Sequence, residues 1–335
     1  MPIPFTSAAI LGAGSLGTAL AKLLAPKLES ILLVSIEEDV VAGINQNHRN
    51  PKYLKDIILA DNIRATTDHR EILDHPLVLV AVPSSAVRSE AEKLAAIGLP
   101  TSTPLVSCGK GIERNTGERL SQILKDVLPS NPIGILTGPN HAEEIAGEKI
   151  TCAVVASHDS VLAEALQDLF TLPFFRVYTT DDVPGVELGG AVKNVYAIAA
   201  GMAHGLGVGD NAVAALVTRA LAEMTRLGVA LGGRPETFSG LSGVGDLIVT
   251  CFSEHSRNHR VGHAIGTGKS LEDAVASLGM VAEGVPNALS IHDAARKLGV
   301  RTPIIDGIYA ILYEGKPAAV AMRELLNRDP RPENG

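Results

Sequence analysis

The first half of the chain alternates short apolar runs with helix-length amphipathic stretches, the pattern of a mostly parallel sheet covered by helices on both faces. Ala8 to Leu11, Ile31 to Val34, Ile63 to Thr66, Leu77 to Val82, Leu105 to Ser107 and Ile133 to Leu136 form the core strand set, with Thr151 to Ala156 and Phe175 to Tyr178 as later additions. Between them Ser15 to Ala25, Ala86 to Ala96, Gly117 to Leu128 and Ser160 to Phe170 read as helices. After about Thr180 the strand punctuation stops. Long Ala- and Leu-rich segments follow, including Asn211 to Leu231, Leu271 to Leu278 and Ala288 to Leu298. Asp181, Asp182 and Pro184 mark the break, because acids suit a helix start and proline interrupts regular structure before it. The expected organisation is an α/β domain over residues 1–180 and an all-helical domain over 181–335, with a frayed tail from Asp329 to Gly335.

Composition supports a folded chain with two cores: 335 residues exceed the usual size of one, and 46% apolar with 20% charged residues lies far from the disordered regime. A net charge of -8 argues against a nucleic-acid or anionic-membrane surface. Cys108, Cys152 and Cys251 are odd in number and far apart, so they form no disulfide framework or CxxC motif, and a reducing compartment fits best. Met1 to Ser7 has two prolines and no basic region, which is not a secretory signal, so the cytoplasm is the expected location. The longest apolar stretch, Val186 to Leu206, carries Lys193, Asn194 and His204, and reads as a helix buried in protein rather than a membrane span.

At the end of the first strand, Gly12-Ala13-Gly14-Ser15-Leu16-Gly17 places a GxGxxG directly before a helix pattern, the context of a Rossmann-like dinucleotide site. Gly12 allows the tight turn, Gly14 lets a pyrophosphate approach the backbone, and Gly17 lets helix and strand pack closely, with the anion on the helix N-terminus. Glu37 stands twenty residues after Gly17, where an acid grasps the adenosine ribose; the alternative is that Glu37, Glu38 and Asp39 only form the first turn of a helix from Val40. No Arg or Lys lies nearby, and a carboxylate would repel a 2′-phosphate, so NAD is expected over NADP. Val82-Pro83-Ser84 closes the fourth strand at the carboxyl edge, where ligands bind in such sheets, although a strand-ending proline is equally what a plain loop shows.

In the run Gly189-Gly190-Ala191-Val192-Lys193-Asn194-Val195 only Lys193 and Asn194 are polar, so both are expected to be buried and to need partners. Burial destabilises an ammonium and tunes it toward acid/base work near neutral pH, although a lone lysine in an apolar helix more often snorkels outward. Ser256-Arg257-Asn258 offers donors for a phosphate, or else a plain helix start with Ser256 as N-cap. His255, His259 and His263 recur at spacing four, but no carboxylate or Cys joins them and Gly262 weakens the helix, so no metal is expected.

The Lys193 run resembles the signature of the NAD(P)-dependent glycerol-3-phosphate dehydrogenases. Further motifs similar to that family's follow its order: Ser107-Cys108-Gly109-Lys110-Gly111, Leu136-Thr137-Gly138-Pro139-Asn140, Gly207-Val208-Gly209-Asp210-Asn211, Gly243-Val244-Gly245-Asp246-Leu247, Ser256-Arg257-Asn258 and Ala282-Glu283-Gly284, the likeness running from about Ala8 to Asn327. It implies interconversion of dihydroxyacetone phosphate and sn-glycerol 3-phosphate, which supplies the glycerolipid backbone. Lys193 is then the proton donor or acceptor, and Asp246 is its catalytic partner. Lys110, Gly138, Asn140, Asn194, Thr250, Ser256, Arg257 and Asn258 correspond to the remaining substrate contacts. Ser15, Leu16, Pro83, Lys110, Ala142, Arg257, Val281 and Glu283 join the glycines and Glu37 as cofactor contacts.

Two positions depart from many bacterial members: Ile36 replaces a basic or histidine residue, and Asn140 replaces a small hydroxyl residue. Both resemble the eukaryotic NAD-using branch and leave the contacts at these positions open. The rival readings are a 6-phosphogluconate or ketopantoate type of reductase, and a silent dinucleotide sensor; Ser256-Arg257-Asn258 with Asp246 opposes the first, and the presence of Lys193 opposes the second. A homodimer is expected only by analogy with other helical second domains.

Overall fold

The computed structural model describes residues 4–114, 116–278, 281–327 and 332–333. Of the tail from Asp329, all but 332–333 lies outside the described residues. Eight strands form one sheet: β1 (Ser7–Leu11), β2 (Ser30–Val34), β3 (Ile63–Thr66), β4 (Val78–Val80), β5 (Leu105–Ser107), β6 (Ile133–Thr137), β7 (Thr151–Ala156) and β8 (Phe175–Thr180). Their order is β3-β2-β1-β4-β5-β6-β7-β8, and every neighbouring pair is parallel except β6 and β7. The chain runs outward from β1 through β3, then returns to β4 on the other side of β1. That reversal opens a crevice at the carboxyl ends of β1 and β4, where open α/β sheets bind ligands.

Helices α1 (Ser15–Leu24), α2 (Glu38–Asn47), α3 (Val87–Ala96), α4 (Leu120–Val127), α5 (Ala142–Ala146) and α6 (Ser160–Phe170) accompany the sheet. Separate apolar cores form on its two faces, one holding Ile10, Leu33 and Leu79, the other Leu11, Leu32 and Val80. Two elements are shorter than expected. β4 stops at Val80, and Ser84–Ala86 already turns as a 3-10 helix. α4 begins at Leu120 rather than Gly117, because Gly117 takes φ +75° in a turn that bridges Ile112 to Arg119.

From Val183 onward the described elements are helical: α7 (Val183–Gly205), α8 (Asp210–Ala230), α9 (Pro235–Phe238), α10 (Asp246–Phe252), α11 (Arg257–Gly266), α12 (Leu271–Ala276), α13 (Gly284–Lys297), α14 (Pro303–Tyr313) and α15 (Ala318–Leu326). Asp182 starts α7 by accepting the Gly185 N–H. α7 is buried along nearly its whole length, yet among the described residues no helix is long and apolar enough to cross a membrane. It can sit so deep because glycines let α11 touch its backbone: a Cβ on Gly262 would lie 2.0 Å from the Ile198 carbonyl oxygen.

Glu223, buried on α8, accepts the free N–H groups of Ile304 and Ile305 at the start of α14, both at 3.0 Å. Burial pushes its carboxyl up to about 7, against the pull of those two N–H groups. A folded-state value above the unfolded one means that this group's stabilising contribution is present below about 4.5 and lost as pH rises through about 7. Glu223→Gln removes the titration, so the melting temperature of the variant minus that of the wild type is expected to increase between pH 5 and pH 8. Thermal melts at the two pH values check this, and a pH-independent difference would contradict it.

Candidate active site

The glycine loop has the shape a dinucleotide needs. Gly12 takes φ +100°, and a Cβ there would lie 2.8 Å from the Ala81 carbonyl oxygen; a Cβ on Gly17 would lie 1.8 Å from the Gly12 oxygen. At Gly14 an added Cβ would meet nothing within 4 Å, so this face of the loop is open. Ser15 and Leu16 begin α1, and no side chain caps that N-terminus, which leaves its N–H groups to an anion. The backbone from Gly12 to Gly17 thus fits a pyrophosphate, which it would hold through these N–H groups.

Further along the same edge, Glu37 precedes the first turn of α2, which contains Glu38 and Asp39. The expectation of no nearby cation is corrected here: Lys52 Nζ lies 2.7 Å from Glu37 and 3.2 Å from Asp39. The sequence interval hid this pair, because Lys52 is brought in by the connection between α2 and β3. Pro83 is exposed beyond β4, and Ser84 beside it binds Glu283 through both its N–H (3.0 Å) and its hydroxyl (2.5 Å). Glu283 immediately precedes α13, so this contact joins the helical half to the sheet edge. Ala142 is buried at the start of α5, and Val281 is about half exposed.

The chemical centre is a hydrogen-bonded chain of residues from six elements or their ends. Lys193, 4% exposed on α7, donates to Asp246 Oδ1 and, at 2.7 Å, to Thr250 Oγ1. Asp246 and Thr250 are one turn apart on α10, so one helical face presents both. The other Asp246 oxygen accepts from Lys110 Nζ at 2.8 Å, and the same ammonium donates to Gly138 O (2.8 Å) and Asn140 Oδ1 (2.5 Å). Lys110 follows β5, while Gly138 and Asn140 follow β6. Asn194 donates to the Lys110 carbonyl at 3.0 Å and accepts from Asn258 at 2.9 Å, and Asn258 in turn accepts the Gly284 N–H at 2.9 Å.

Charge is tuned by burial. Removal from water pushes the Lys193 ammonium down to about 7, with Asp246 pulling it back up and Lys110 lowering it further. Burial acts to raise the Asp246 carboxyl, but the Lys110 and Lys193 ammoniums outweigh it and hold the group below the usual carboxylate range. A lysine that titrates near neutrality beside a fixed carboxylate can give or take a proton.

Other expected residues are placed differently. Ser256 is the N-cap of α11, its oxygen accepting the His259 N–H at 3.2 Å. The Arg257 side chain, at the start of α11, is exposed and makes no hydrogen bond or ion pair among the described residues. His255 precedes α11, so the three-histidine face does not form; His259 instead meets His204 at 2.8 Å. Among the described residues no group of three or more His, Cys, Asp or Glu could hold a metal. Sequence reasoning missed His141, whose Nε2 is buried without a partner among the described residues. Burial, then the two lysines, lower its imidazole to about 4, so it is neutral at pH 7. The only signal was its position directly after Asn140.

A dinucleotide cradle beside a buried lysine and aspartate, on a sheet joined to a helical half, defines a pyridine-nucleotide-dependent oxidoreductase. Profiles of the NAD-dependent glycerol-3-phosphate dehydrogenase N-terminus and C-terminus match residues 7–163 and 182–323. Two relatives named glycerol-3-phosphate dehydrogenase [NAD(P)+] are close. That of an Exiguobacterium species is 47% identical, over 97% of this chain and 96% of its own. That of Chlorobium phaeobacteroides is 44% identical, over 97% and 98%. The crystal structure of glycerol-3-phosphate dehydrogenase from Coxiella burnetii superposes with a TM-score of 0.93 at 36% identity, covering 96% of this chain and 99% of that one. This chain belongs to the NAD-dependent glycerol-3-phosphate dehydrogenase family.

Proposed function

We propose that the chain interconverts dihydroxyacetone phosphate and sn-glycerol 3-phosphate, with residues 1–180 holding the dinucleotide and 181–335 carrying the chemistry. The supporting observation is Lys193: a water-excluded ammonium, lowered to about 7, joined to Asp246 at the carboxyl edge of the sheet. When bound, the nicotinamide supplies or accepts hydride at the substrate's central carbon. Lys193 gives its proton to the ketone oxygen in reduction and takes the hydroxyl proton in oxidation. Asp246 holds the ammonium and is itself steadied by Lys110, and Asn194 orients the substrate oxygens from the same network. The neutral three-carbon body needs a grip at its charged end, and Arg257 is the guanidinium suited to fork onto two phosphate oxygens.

NAD is the preferred cofactor, because Glu37 suits a ribose with free hydroxyls and Ile36 offers no charge to a 2′-phosphate. The setting is the cytoplasm, where the product feeds the glycerolipid backbone, and the working assembly is a homodimer. Initial rates of NADH and NADPH oxidation with dihydroxyacetone phosphate, beside unphosphorylated dihydroxyacetone, test the reading. Activity that depends on the phosphate and is faster with NADH is expected. Equal rates with the unphosphorylated ketone would overturn the substrate, and NADPH efficiency matching that of NADH would overturn the preference. Arg257→Ala is expected to raise the KM for dihydroxyacetone phosphate about tenfold or more with a smaller change in kcat. An unchanged KM would remove Arg257 from phosphate binding.

A further inference from the structure

Past the end of β2, Ile36 is 83% exposed and Glu37 is clasped by Lys52 together with Asp39. Lys52 is not there by the chance reach of a long stem. Buried Asn50 donates to the Ala13 carbonyl oxygen at 2.8 Å and to Thr18 Oγ1 at 2.9 Å, so it is fastened to the glycine loop and the helix behind it. Its Oδ1 accepts the backbone N–H groups of Lys52 and Tyr53 at 3.1 and 3.0 Å. One asparagine therefore ties the turn that presents Lys52 to the loop that holds the dinucleotide. The cation absent at position 36 is supplied from another part of the chain.

We propose that Lys52 sets the discrimination between cofactors with and without a 2′-phosphate. This rests on the reading of Glu37 as the group that faces the adenosine ribose. With a free 2′-hydroxyl, Lys52 stays bridged to Glu37 and Asp39, and a Glu37 oxygen accepts the hydroxyl. With a 2′-phosphate, the ammonium turns from the carboxylates to the phosphate and offsets the repulsion Glu37 would exert alone. The exchange is cheap because the Lys52 side chain is 44% exposed, and ion pairs of that kind contribute little. Two acids and one lysine thus leave a residual negative bias toward NAD while still admitting NADP.

Calorimetric binding of NAD+ and NADP+ to the full chain, without substrate, separates the two ideas. The wild-type ratio of the two affinities reports the NAD preference; the change of that ratio in Lys52→Met reports the role of Lys52. Lys52→Met is expected to reduce NADP+ affinity relative to NAD+ about tenfold, the scale of one charge-assisted contact, while Lys52→Arg keeps the ratio within about threefold of wild type. The NADPH to NADH ratio of kcat/KM should follow. A ratio that moves less than about threefold in Lys52→Met, including a parallel loss of both cofactors, overturns the proposal, because Lys52 would then only prop its turn.

Discussion

Lys193→Ala is expected to lower kcat for dihydroxyacetone phosphate reduction at least about a hundredfold, the scale of general acid catalysis, with NADH binding retained. The effect is large because among the described residues no other group matches it: Lys110 spends its three donors on Gly138, Asn140 and Asp246, and His141 is neutral. The deleted chain also leaves Asp246 with one ammonium instead of two. NADH titration confirms that the cradle survives, and single-turnover rates read the chemistry. Wild-type turnover in the variant would exclude Lys193 as the proton donor.

Asp246→Asn comes second in size, with an expected loss of about a hundredfold for a different reason. Two buried or half-buried ammoniums share this one carboxylate, and breaking such a pair leaves uncompensated charge. Lys193 answers by shedding its proton, since Asp246 is what holds its value up against burial. The residual reduction activity should therefore fall off at lower pH than in the wild type. An Asp246→Asn enzyme with full activity and an unmoved pH profile would show that the carboxylate only packs.

Much of this was legible in the chain because the signals were local. β3, β5, β7 and α6 lie where apolar runs and spacing put them, since each side chain there is sorted by burial on one element. The Gly12 to Gly17 loop was legible for a steric reason, two of its positions having no room for a Cβ. The partnership of Lys193 with Asp246 could be expected only through the resemblance, because the two are 53 residues apart and burial says merely that a partner must exist. Lys52 was illegible: fifteen residues from Glu37, it reaches that acid through the Asn50 turn, and no pattern of polarity encodes such a return. The clasp of Ser84 by Glu283 is likewise a tertiary event, joining positions 199 residues apart. Ser256 shows the converse, where local capping chemistry and a proposed ligand contact fall on the same hydroxyl.

The pH dependence of kcat/KM in both directions tests the role of Lys193 most directly, measured above pH 6.5 so that substrate phosphate ionisation, near pH 6, has little influence. Reduction needs the ammonium and oxidation the free amine, so reduction should decline and oxidation rise as pH passes the Lys193 value of about 7. Flat profiles in both directions, or slopes of the same sign, would contradict a proton passing through Lys193.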